Sequence, residues 1–115
     1  MSRRRGDGAD SLLVLWIVAT GPLLIALICL PLMLGAIEPN PLYGVRTAAS
    51  LASEEAWYRA NRAGGVAGVE AGLFGFAANV LVLRSQAPSR RKIAICIAIL
   101  LVVTLIMTAA GLGAA

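Results

Sequence analysis

The groups able to do chemistry in this 115-residue chain are few, and the longest string of them falls in one stretch, 40–65. Asn40, Tyr43, Arg46 and Thr47 are followed by Ser53, Glu54, Glu55, Trp57, Tyr58, Arg59, Asn61 and Arg62. A string of amides, hydroxyls, guanidinium groups and aromatic rings is the leading place in so apolar a chain for specific recognition. It lacks the parts for catalysis. The chain has no histidine, and no Cys-x-x-Cys spacing, glycine-rich phosphate loop, nucleophile elbow or paired carboxylate site occurs. No enzymatic activity, metal or cofactor is expected from these residues.

Composition sets the elements that must position this string. The chain is 59% hydrophobic and 14% charged, with a mean hydropathy of +0.84, whereas a soluble domain is near half apolar and about a quarter charged. The apolar excess lies in three blocks: 12–37 and 93–115 carry no charge, and 63–83 carries only Glu70. Each is long enough to cross the roughly 30 Å hydrocarbon layer as a helix, and each is too long and too uniformly apolar for a barrel strand. The expected fold is an all-α, integral membrane three-helix bundle in a single domain. Residues 1–11 form a cytoplasmic tail and 12–37 the first span. An external loop with a short interfacial helix takes 38–62, the second span 63–83, a basic cytoplasmic loop 84–92 and the third span 93–115.

The first block is too long for the apolar core of a cleaved signal peptide, so it reads as a true span. Arg3, Arg4 and Arg5 precede it, and Arg84, Arg90, Arg91 and Lys92 crowd the second connection. The first connection sets Arg46, Arg59 and Arg62 beside Glu38, Glu54 and Glu55. By the positive-inside rule the N-terminus lies inside, 40–62 outside and the C-terminus outside. The basic clusters read as topology signals near anionic lipid, and nucleic-acid binding is not expected. Cys29 and Cys96 fall within spans and read as apolar packing. Trp16, Tyr43, Trp57 and Tyr58 suit the headgroup level, where aromatics gather.

Pro22 and Pro31 are expected to kink the first helix, and Pro39 and Pro41 to end it. Ser53 can cap a second helix, with Glu54 and Glu55 in its first turn. If that helix runs on into the second span, Trp57, Asn61, Gly64, Gly68, Gly72, Gly75 and Asn79 share a strip about 80° wide. Gly64, Gly68 and Gly72 make two small-x-x-x-small steps that let a neighbouring helix approach closely, and Asn79 reads as interhelical glue. Glu70 lies off this strip. A charged group near a helix centre costs about 2.5 to 3.5 kcal/mol, so Glu70 should face a third helix, a wet cavity or a neighbouring subunit. Arg46, at the membrane edge, is expected to pair with Glu70 or with Glu54 and Glu55.

Asn40, the run Tyr43-Gly44-Val45-Arg46-Thr47, the acidic pair, Trp57 and Asn61-Arg62 ahead of a glycine-rich span together resemble the SdpI family of small bacterial multi-pass membrane proteins. The resemblance covers roughly 40–75. It departs from the family at Ala48 and Ala49, where relatives often carry proline or bulkier residues, and in having three spans where the fuller immunity members have more. It implies a bacterial cytoplasmic-membrane protein related to immunity factors against an exported peptide toxin. It also implies an outward-facing determinant on Asn40, Tyr43, Gly44, Arg46, Thr47, Trp57, Asn61 and Arg62.

Three functions fit these readings. The first is immunity or sensing toward an extracellular peptide or envelope ligand through 40–62. The second is a small oligomeric transporter or channel protomer using Glu70, and the third is a structural subunit docking through the glycine face. The expected partners are the lipid bilayer, a peptide toxin or envelope ligand, and either further copies of the chain or another membrane protein.

Overall fold

A computed structural model describes the backbone of residues 2–114 and the side chains of residues 12–114. Arg3, Arg4 and Arg5, which enter the orientation argument, lie outside the described side chains. Three helices make up the fold: α1 (Ser2–Met33), α2 (Glu54–Arg84) and α3 (Ser89–Ala114), with no strand among the described residues. Each contains a stretch long and apolar enough to cross a membrane.

The start of α2 follows from its first residues. Ser53 is extended, its hydroxyl accepts from the Ala56 N–H at 3.0 Å, and Glu54 and Glu55 occupy the first turn. The helix then continues unbroken through Gly64 and Gly65 to Arg84. At 1.5 Å per residue this makes about 46 Å, well beyond the roughly 30 Å of hydrocarbon.

The end of α1 departs from the expected one. The helix stops at Met33 rather than at Pro39, because Gly35 takes a left-handed conformation with φ +69. Its N–H donates to the Leu32 carbonyl at 3.1 Å, and the Ala36 N–H donates to the Pro31 carbonyl at 2.9 Å. These are the two bonds of a Schellman stop. The prolines at 39 and 41 lie in chain that has already left the helix. Residues 34–53 therefore form a longer connection than the apolar pattern suggests.

α2 is the central helix, laid in the furrow between α1 and α3. Its residues Trp57, Asn61, Gly64, Gly68, Gly72, Gly75 and Asn79 are all buried. The glycines face specific neighbours: Gly72 meets the Pro22 carbonyl and Ala26, Gly68 meets Cys29 and Met107, and Gly75 meets Val103, Ile99 and Pro22. Gly65, only about 20° beyond the strip at 100° per residue, lies against the α1 backbone at Leu32 and Met33. Away from the 34–53 connection, Leu15, Ala19 and Cys96 close the bundle with Val18, Val82, Leu83 and Ile93 around them. There Asn79 Nδ2 donates to the Ala19 carbonyl at 3.0 Å, and Lys92 Nζ donates to the Leu83 carbonyl at 3.0 Å near the end of α2.

Candidate functional site

Residues 34–53 fold into a cap over one end of the bundle, and side chain to backbone hydrogen bonds hold it. Asn40 shapes the first turn. Its Oδ1 accepts from the N–H groups of Leu42 (3.0 Å) and Tyr43 (2.7 Å), and its Nδ2 donates to the carbonyls of Glu38 (2.8 Å) and Tyr43 (3.1 Å). Four bonds from one short amide leave little freedom over 38–43.

Gly44 then turns the chain toward α2 with φ +112. A Cβ there would stand 2.6 Å from Asn61 Oδ1 and 3.1 Å from the Trp57 ring, so both conformation and space call for glycine. Asn61 reads the next residue from the helix side. The Val45 N–H donates to its Oδ1, while its Nδ2 donates to the Trp57 carbonyl at 3.0 Å and to the Val45 carbonyl at 3.4 Å. The Val45 side chain lodges against Gly64 of α2 and Gly111 of α3, and Trp57 Nε1 donates to the Ile37 carbonyl at 3.0 Å. Trp57 and Asn61 are thus buried anchors that fasten the cap to α2.

A second turn completes the cap. The Thr47 N–H donates to Ser50 Oγ at 2.8 Å, the Ser50 N–H donates to Thr47 Oγ1 at 3.0 Å, and Ser50 Oγ donates to the Val45 carbonyl at 2.8 Å. Ser50 is fully buried. It belongs among the site-building residues although the candidate set omits it; the three-residue spacing from Thr47 is the signal for a reciprocal hydroxyl turn.

The expected pairing of Arg46 with Glu70, Glu54 or Glu55 is not formed. Arg46 Nη1 donates instead to the Pro41 carbonyl at 2.7 Å, a partner within the cap, and Glu55 with Arg59 at 3.7 Å is the ion pair found among the described residues. Two further arginines tie α2 to the ends of its neighbours. Arg59 Nε donates to the Ala114 carbonyl of α3 at 3.0 Å, and the Arg62 guanidinium lies over Gly35, just past the end of α1. Both positions put a cation where a helix presents unpaired carbonyls.

Beneath the cap lies a cavity of about 410 Å³ between α1 and α3. Tyr43, Gly44, Val45, Arg46 and Thr47 roof it; Ile28, Cys29 and Leu32 form one wall, and Met107, Thr108 and Leu112 the other. Gly64 adds to its lining from α2. Inside, the Cys29 thiol donates to the Met107 thioether at 3.2 Å. Burial, with a smaller push from Cys29, raises the Tyr43 phenol above its ordinary value. The arrangement is a mostly apolar slot with a polar roof, suited to an amphipathic ligand.

The model of the SdpI/YfhL protein family matches residues 36–112, which spans nearly all of the cap, all of α2 and nearly all of α3. The chain belongs to the SdpI/YfhL protein family. No curated protein and no solved structure matches the chain. Within this SdpI/YfhL member the structure brings Asn40, Tyr43, Gly44, Arg46, Thr47, Trp57, Asn61 and Arg62 together at the capped end. The glycine strip runs from beneath them into the bundle. The capped end leaves two of the expected residues out: Asn79 lies about 27 Å along α2 from Asn61, and Glu70 is exposed on the opposite side of α2, outside the cavity lining. Sequence reasoning missed Gly35, Ser50, Met107 and Gly111, and also Leu42, which is 92% exposed at the cap's first turn.

Proposed function

We propose that this SdpI-like membrane protein is a non-catalytic immunity or sensing protein, and that the slot under the cap receives part of an extracellular peptide or an envelope ligand. The observation that carries the reading is the cavity of about 410 Å³ roofed by Tyr43 to Thr47, the same run that carries the family resemblance. An amphipathic peptide presents the matching chemistry: apolar side chains for the walls, and backbone carbonyls or a carboxylate for the exposed Arg46 at the rim. In this reading the cap faces the outside of a bacterial cytoplasmic membrane, with the N-terminus inside and the C-terminus outside. Arg84, Arg90 and Arg91 at the other end of the bundle are exposed, which agrees with a cytoplasmic side.

The test is a peptide-challenge assay in cells lacking the gene, complemented with the wild type, Thr108→Phe or Arg46→Ala. Thr108 lines the slot from α3, so the phenylalanine fills it. The expected result is loss of protection with Thr108→Phe and partial loss with Arg46→Ala, both at normal membrane levels. Equal protection by the filled-slot variant and the wild type would sink the reading.

A further inference from the structure

The face of α2 directed away from α1 and α3, from which only the Arg59 side chain reaches round to Ala114 of α3, carries a pattern that the cap and slot do not use. Arg59, Ala63, Val66, Glu70, Leu73 and Ala77 follow one another at steps of four and three residues, the spacing of a heptad seam. Val66 is 37% and Leu73 51% exposed, Glu70 and Ala77 are also exposed, and Ala63 is half-buried. An open groove of about 700 Å³ runs over this face from Glu55 to Glu70, because Ala63 and Ala67 leave the helix surface low. Leucine-rich lipid-facing surfaces need no such relief; a second helix does.

Glu70 decides what fills the groove. It lies about 12 Å along the helix from Arg62, and among the described residues it has no hydrogen-bond or ionic partner. The spans of α1 (12–33) and α3 (93–114) contain no acidic or basic residue. In a second copy inserted with the same orientation, the one acidic or basic side chain at that depth is therefore its own Glu70.

We propose that two copies of this chain pair in parallel through the α2 seam, with the two Glu70 carboxyls meeting on a two-fold axis along the membrane normal. The alanines bring the backbones close, and a hydrogen bond between the two carboxyl groups gives each the partner that lipid withholds. Between Ala63 and Ala77 Glu70 is the one polar residue of the seam, and such a residue also fixes register, as a buried asparagine does in soluble coiled coils. The slot under the cap opens on the other side of α2, so this pairing does not depend on the proposed function.

The test uses the full chain in lipid nanodiscs and in native membranes. Single cysteines replace Ala63 or Ala77 on the seam, and Leu27 or Leu105, which face lipid from α1 and α3, as controls. The expected result is a disulfide-linked dimer of this chain from Ala63→Cys and Ala77→Cys and little from the controls. By energy transfer between labelled copies diluted in lipid, Glu70→Leu should weaken association at least about tenfold. Glu70→Gln, which still donates and accepts, should stay within about threefold. The proposal is overturned by a monomeric mass at every protein-to-lipid ratio or by stronger linkage from the control positions. Association of Glu70→Leu equal to wild type, or linkage of the seam cysteines to another protein instead of a second copy, also overturns it.

Discussion

Asn61 and Asn79 share one strip of α2, are both buried, and differ in what surrounds them. Asn61 meets the cap, where irregular backbone offers free groups, and its side chain takes up the N–H of Val45 and the carbonyls of Val45 and Trp57. Asn79 meets a helix whose backbone is already paired. Its Nδ2 adds a bond to the Ala19 carbonyl, and among the described residues its Oδ1 has no partner. The same residue type is therefore structural at the capped end and half-idle in the apolar end. A buried amide contributes in proportion to the unpaired backbone it meets, because the group left unpaired sets the cost of its loss.

Removing the space and conformation that Asn61 and Trp57 rely on should have the largest effect. Gly44→Ala puts a methyl at φ +112 and against both side chains, and is expected to lower unfolding free energy in detergent by about 3 kcal/mol. Gly113→Ala, where an added Cβ meets nothing within 4 Å, should change it little. Equal thermal stability of the two variants would mean that the cap is not locked to α2.

Asn61→Leu comes next. It leaves the half-buried Val45 N–H without its Asn61 acceptor and should cost about 2 kcal/mol, together with faster hydrogen exchange at Val45. The comparison is sharpest with Asn79→Leu, which removes one hydrogen bond and one orphaned acceptor together and should stay within about 1 kcal/mol of the parent. Similar losses from the two substitutions would erase the distinction between the ends of the bundle.

The smallest effect concerns the roof of the slot. The Tyr43 phenol is held above its ordinary value, chiefly by burial, so the folded protein binds that proton more tightly than the unfolded chain. Its contribution is complete below the unfolded value of about 10 and is lost as pH rises toward the folded one. Phenolate absorbance should rise later in the wild type than in free tyrosine, and Tyr43→Phe should remove that late component. Titration of Tyr43 at the free value would show the slot to be open to water.

Much of this architecture was legible in the chain. Uncharged blocks can only be satisfied by helices in lipid, and Ser53 with Glu54 and Glu55 marks the start of α2. The 3.6-residue period collects Trp57, Asn61, the glycines and Asn79 on one strip, because helical phase is a local property. The end of α1 was less legible: Gly35 stops the helix through a left-handed turn, while the hydrophobic pattern runs on past it to Ile37. Arg46 was misjudged for a related reason. Formal charge suggested an acidic partner, yet a carbonyl of its own loop is nearer.

The sequence by itself determined the three spans, the start of α2 and the face by which a continuous α2 would pack, since these follow from hydropathy, capping and helical period, while the unbroken run through Gly64 and Gly65 came from the structure. Only the tertiary structure decided that Asn61 holds Val45 from across the cap, that Ser50 belongs to the site, and that a slot opens between α1 and α3 under Tyr43 to Thr47. It also decided that Glu70 faces away from the bundle. Each of these depends on where residues distant in the chain meet, and periodicity within one element carries no information about that meeting.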